Sequence, residues 1–140
     1  MKDKIIITKL EQIHLDAGDV LHCLKKGDDG YIDFGELYFS KINFNKIKGW
    51  KRHRKMTLNL VVPYGDVEFT IVNVDGTFTN YRIGTNNYKR LTIPPGIWFS
   101  FVGKNNPFSI IASVIDNKHD PSEVDKKELN SFNYCFNNNF

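Results

Sequence analysis

Lys48-Gly49-Trp50-Lys51-Arg52-His53-Arg54-Lys55-Met56 runs without a break into Thr57-Leu58-Asn59-Leu60-Val61-Val62. The first nine residues hold six cationic or imidazole side chains and one indole, a charge density that a dry core does not accept. From Met56 to Val62 the chain alternates, with Met56, Leu58, Leu60 and Val62 on one parity and Thr57, Asn59 and Val61 on the other, which is the pattern of a half-buried strand. A run this basic is ordinarily a solvated turn. Three residues point instead to a strand mouth that faces a ligand: Gly49 permits a tight backbone path, Trp50 is costly to expose, and His53 changes charge near neutral pH. Counting by two from Met56 puts His53 on the parity of Thr57 and Asn59. A strand regular back to His53 turns His53 and Asn59 toward one wet, polar face.

Outward from this stretch the chain reads as short strands and turns. Ile5-Ile6-Ile7-Thr8 is β-branched and predicts a first strand, and Leu10 to Leu15 and Val20 to Leu24 predict weaker ones. Glu36 to Phe44 alternates as a long strand with aromatic and polar groups mixed on each face, as suits a barrel wall that holds a ligand. Met56 to Val62 ends at Pro63-Tyr64-Gly65-Asp66. Val67 to Val74 and Phe78 to Ile83 flank Asp75-Gly76, a strong hairpin signal. Tyr88 to Ile93 leads into the rigid corner Pro94-Pro95-Gly96, followed by Ile97 to Val102 and Phe108 to Ile115. Asp120, Pro121 and Glu123 have the cap, first-turn proline and third-position acid of a short helix running to Leu129. The aromatic tail 130–140 is expected to order against a partner. Eight to ten strands without βαβ alternation exclude a doubly wound nucleotide-binding sheet and predict an all-β jelly roll or small barrel.

The chain has 140 residues, 41% of them hydrophobic, which predicts a single domain over 1–140 with one core. A net charge of +3 and a pI near 8.8 favour a small anionic partner, and no regular Lys/Arg array supports nucleic acid. Cys23 and Cys135 stand alone, in no disulfide or zinc spacing, and no segment reads as a signal peptide or membrane span, so a cytoplasmic protein is expected. His14, His22, His53 and His119 show neither a His-x-His pair nor a nearby Glu at ligand spacing, so neither a metal nor another cofactor is expected. Edge strands and the apolar Ile5 to Ile7 predict a homodimer.

Lys48 to Gly65, together with Arg90-Leu91-Thr92-Ile93-Pro94-Pro95-Gly96-Ile97-Trp98, resembles the RmlC-like cupins that act on nucleotide-linked deoxysugars. These are the dTDP-4-dehydrorhamnose 3,5-epimerases and the dTDP-4-keto-6-deoxyhexose 3,4-ketoisomerases. The likeness runs from about Phe34 to Ile115, and the Ile-Pro-Pro-Gly corner is its most distinctive piece. It implies a double-stranded β-helix, the cupin jelly roll, carrying the short C-terminal helix. The ketoisomerase pattern Arg-Gly-Phe-His-Ala-His-Lys falls without gaps on Lys48 to Arg54. His53 then matches the second histidine and Lys51 occupies the first. Where the epimerases carry a further histidine this chain has Phe99, and their tyrosine on the last barrel strand is missing from Ser109-Ile110-Ile111-Ala112-Ser113.

The resemblance implies proton removal from the carbon beside a ketone, as in the epimerases and isomerases that make sugars for surface polysaccharides. Such chemistry needs a base near neutral pKa, a proton donor and a cation for the enolate oxygen. His53 is the candidate base. Lys51 is the candidate for the enolate or a second base, and Tyr38 the candidate proton donor. Lys48, Arg52 and Arg90 are candidates for the diphosphate of a nucleotide-sugar substrate, Trp50 and Trp98 for stacking, and Asn59 for a polar contact. The rival expectation is a sugar-binding cupin without catalysis, recorded in the departures at Lys51, Phe99 and Ile111.

Overall fold

The basic stretch is itself a strand. In the computed structural model, which describes residues 4–136, Ile47–His53 lies inside a sheet, and a corner at Arg54 and Lys55 separates it from the strand that follows. In chain order the strands are β1 (Ile6–Lys9), β2 (Gln12–Ile13), β3 (Val20–Leu21), β4 (Glu36–Asn43), β5 (Ile47–His53), β6 (Leu58–Tyr64), β7 (Asp66–Val72), β8 (Phe78–Gly84), β9 (Lys89–Ile93), β10 (Phe99–Gly103), β11 (Phe108–Ile115) and β12 (Val124–Lys126). Two five-stranded antiparallel sheets, ordered β1-β9-β6-β11-β4 and β12-β5-β10-β7-β8, face each other, and β2-β3 forms a small separate ribbon.

Strand register decides which side chains fill the space between the sheets, because partners across an antiparallel pair share a face. Ile111 opposes Ser40 and Ser113 opposes Tyr38, while Leu58 and Leu60 oppose Ile93 and Leu91. In the other sheet Phe101 opposes Phe69 and Phe99 opposes Ile71. These apolar residues join Ile42, Met56, Val62, Val67, Ile83 and Ile115 in one buried core, with Tyr38 packed against its edge. Each fully buried Leu, Ile or Phe contributes about 1.5–3 kcal/mol relative to exposure. The Asp75-Gly76 hairpin forms as expected, with Val72 opposite Phe78 and Asp66 opposite Gly84.

Pro63 does not end its strand. Ile110 opposes Tyr64 while Ala112 opposes Val61, so β6 uses one residue more than β11 here, and this bulge takes the proline that lacks an N–H. The turn is left to Gly65, at φ 101°, where an added Cβ would stand 2.3 Å from Ser109 Oγ. The first strand lies on β9 of its own chain, with Ile6 opposite Thr92.

The predicted C-terminal helix is absent. Asp120 does cap, accepting a bond from the Ser122 N–H at 2.9 Å, but Pro121–Glu123 is a single 3-10 turn that gives way to β12. Glu123 turns toward β5 rather than back to its cap, the residues after it carry no helical apolar stripe, and the free edge of β5 offers a ladder that β12 completes. The tail also packs on its own chain: Phe132, Tyr134 and Phe136 surround Trp50 at ring-centroid distances of 4.9, 6.0 and 5.6 Å. Residues 137–140 of the predicted partner-binding tail lie outside the described residues.

Candidate active site

Between Phe99 opposite Lys51 and Phe101 opposite Lys48, β5 advances three residues and β10 two. This bulge brings Lys48 and Lys51 to the inner face while Trp50 between them turns outward. Lys51 Nζ sits 5.6 Å from the ring centroid of Phe99 and 5.4 Å from that of Phe101, and Lys48 Nζ is 5.9 Å from Phe101. Lys51 makes no ion pair among the described residues. Burial, with the positive charges of Lys48 and Lys126 adding to it, pushes its ammonium down to about 8.

His53 ends β5 on the same inner face and is buried, its ring lying nearly parallel to that of Phe99 at 21° and 6.4 Å. The parity count from Met56 fails at the Arg54–Lys55 corner, so His53 faces inward together with Leu58 and Leu60, and Asn59 faces out. His53 Nδ1 is hydrogen-bonded to Glu123 Oε1, and the other oxygen of Glu123 accepts from the N–H groups of Lys55 at 3.0 Å and Met56 at 3.3 Å. Glu123 is held below the usual carboxyl value and is ionised at neutral pH, so Nδ1–H is the donor to it and Nε2 keeps its lone pair. The Pro94-Pro95-Gly96 corner fixes the other side, with the Gly96 N–H donating to the His53 carbonyl at 2.7 Å.

Burial holds the His53 imidazole below its ordinary range, against the upward pull of Glu123; Lys51 and His119 lower it further. Burial pushes the Glu123 carboxyl up, yet the bond from His53 and the two amides hold it below the usual value. The pair is therefore a neutral imidazole backed by a carboxylate at neutral pH. Tyr38 enters from β4, with its ring edge-on to His119 at 6.2 Å. Burial keeps its phenol above the ordinary value, with Glu36 and Glu123 acting in the same direction against a bond to Ser113. It stays a proton donor.

Four of the nine sequence candidates, Tyr38, Lys48, Lys51 and His53, thus share the inner side. The other five do not, each for a visible reason. Trp50 is 1% exposed and donates its indole N–H to the Leu129 carbonyl at 3.1 Å under the C-terminal segment. Arg52, also turned outward, is paired with Asp125 at 2.7 Å, and Trp98 lies outside with Arg52 and Lys127 each 4.8 Å from its ring centroid. Asn59 donates to the Gly30 carbonyl and accepts from Thr92 on the outside of the other sheet. Arg90, 0% exposed, ties down the loop after β3 through the Cys23 carbonyl at 2.7 Å and the Asp29 carbonyl at 3.0 Å.

Glu123 escaped the sequence reading, which took it as a capping residue. The available signal was negative: a good cap is followed by Val124-Asp125-Lys126-Lys127-Glu128, which has no apolar face to bury as a helix. Among the described residues no three His, Cys, Asp or Glu side chains converge as a metal site would require.

The two facing antiparallel sheets form a double-stranded β-helix, the cupin fold, with ionisable side chains on its inner wall. No family model and no curated protein sequence matches the chain. Among solved structures it is similar to a dTDP sugar isomerase from Desulfovibrio desulfuricans G20, with 28% identity, a TM-score of 0.85, and 91% of this chain and 85% of that one covered. It is similar in fold to a dTDP-4-dehydrorhamnose 3,5-epimerase from Sulfolobus tokodaii (18% identity, TM-score 0.80, 96% and 82% covered). The same holds for QdtA, a sugar 3,4-ketoisomerase from Thermoanaerobacterium thermosaccharolyticum in complex with TDP (14% identity, TM-score 0.75, 88% of each chain covered). The chain shares the RmlC-like cupin fold of these neighbours, which matches the resemblance read from its sequence.

Proposed function

We propose that the protein is an epimerase or ketoisomerase acting on a 4-keto sugar, a deoxysugar in the neighbours' manner, carried on a nucleoside diphosphate. The observation that carries this reading is the buried His53–Glu123 pair beside Lys51 on the inner wall. In it, Nε2 of neutral His53 takes the proton from the carbon next to the ketone, and Glu123 stabilises the imidazolium that forms. The Lys51 ammonium, poorly solvated between two phenyl rings, stabilises the enolate oxygen more strongly than a cation in water can. Tyr38 returns a proton to the other carbon or the other face.

This chemistry needs no redox step, so the reading includes no cofactor, and it places the protein in cytoplasmic supply of sugars for surface polysaccharides. No helix is long and apolar enough to cross a membrane among the described residues. The reading also includes a homodimer. Its support is β4, an edge strand whose outward side chains Leu37 and Phe39 are 47% and 66% exposed, beside Phe34 at 59%.

Incubation with dTDP-4-keto-6-deoxyglucose in heavy water tests the reading. Deuterium entering at a carbon beside the ketone is expected, and a chelator should not prevent it. Tight binding with no exchange would favour the sugar-binding cupin instead.

A further inference from the structure

Arg52 and Arg90, two of the three cations expected to hold a diphosphate, are committed to protein partners. Positive charge is concentrated elsewhere. β12 pairs with β5 so that Asp125 opposes Arg52 and Lys126 opposes Lys51. The Arg52–Asp125 ion pair fixes that couple on the outer side, so Lys126 stands with Lys51 on the inner one. The β5 bulge adds Lys48 to the same side.

Three ammonium groups therefore gather along one edge of the inner wall. None is ion-paired among the described residues, and Lys48 donates only to the Lys41 carbonyl, at 3.1 Å. They line an open hollow of about 670 Å³ together with Gly49, Trp50, Lys127 and one carboxylate, Glu128. Lys127 is engaged over the outer rings of Trp98 and Phe132, at 4.8 and 5.0 Å. Mutual repulsion of like charges opposes folding, and an arriving polyanion relieves it.

We propose that Lys48 and Lys126 seat the diphosphate of the substrate in this hollow, next to Lys51. The inference rests on the nucleotide-sugar reading and assigns its anionic end to Lys126, a residue outside the barrel strands. A consequence is linkage between binding and protonation. The charged and titratable groups around Lys51 are Lys48 and His53 on β5, Lys126 on β12, Lys127 and the Glu128 carboxylate at the rim of the hollow, and Glu123 bonded to His53, while β10 presents only Phe99 and Phe101. The charges that act on Lys51 are the positive ones of Lys48 and Lys126, so a seated diphosphate favours the charged form of Lys51 and draws a proton from solution. Substrate arrival then readies the cation that the enolate needs.

Calorimetric titration of the full chain with dTDP, thymidine and inorganic pyrophosphate tests the seat. Lys126→Met is expected to weaken dTDP about tenfold or more and to leave thymidine unchanged; Lys48→Met should act likewise. At pH 8, heats measured in buffers of different ionisation enthalpy should reveal proton uptake on dTDP binding, lost in Lys51→Met. Undiminished dTDP affinity in both Lys126→Met and Lys48→Met would overturn the seat and leave the nucleotide-sugar reading standing. Lysine-dependent pyrophosphate binding with no preference for dTDP would keep the seat and overturn that reading.

Discussion

The two faces of β5 carry the same kinds of residue to opposite ends. Outward, Trp50 and Arg52 are held by the chain's own C-terminal segment, through the Leu129 carbonyl, the Phe132 ring and Asp125. Inward, Lys48, Lys51 and His53 meet aromatic walls, and the Glu123 carboxylate bonds the histidine while neither lysine is ion-paired among the described residues. Cations that find partners build structure; cations and bases left without enough of them are held in readiness for a ligand. The C-terminal segment serves both faces, since the same few residues supply Asp125 outside and Glu123 and Lys126 inside.

Substitutions that separate the faces should show this division. His53→Asn is expected to lower turnover by about two to four powers of ten, the usual cost of losing a general base, with little change in dTDP affinity. Near-full turnover would move the base to Lys51 or Tyr38. Trp50→Ala, on the other face, should cost about 3–5 kcal/mol of stability in chemical denaturation, and a loss below 1 kcal/mol would mean the aromatic cluster is not a clamp.

Lys51→Met couples the faces by sign. With a folded value of about 8 against 10.5 when unfolded, the unfolded chain binds more protons between those limits. Stability therefore rises with pH across that window, and the penalty is fully present below it. Removing the charge should stabilise the fold at pH 7 by on the order of 1–3 kcal/mol, reduced for partial solvent contact, while turnover falls. A variant both less stable and equally active would break the assignment. Arg52→Ala should be the mildest, about 0–1 kcal/mol, because its pair with Asp125 is partly solvated.

Much of the barrel was legible because strands declare themselves locally. The alternation of Phe108 to Ile115 and the Asp75-Gly76 turn reappear in β11 and the β7-β8 hairpin. The site was half legible. His53, Lys51, Lys48 and Tyr38 come together on the inner side, whereas Trp50, Arg52, Asn59, Arg90 and Trp98 follow facing and covering segments that no local pattern encodes. The β5 bulge and the Arg54–Lys55 corner each reset the parity on which a count by two depends. Glu123 was invisible for a related reason: its partner lies 70 residues away, and its local context reads as a helix cap.

The pH dependence of kcat/KM tests most directly the claim that neutral His53 works beside charged Lys51. Activity should fall on the acid side through a pKa below the ordinary histidine value of about 6.5, as His53 takes up a proton. It should fall on the alkaline side near 8, as Lys51 loses one, and Lys51→Met should abolish that limb. A profile without an acid limb, or one whose alkaline limb survives Lys51→Met, would contradict the account.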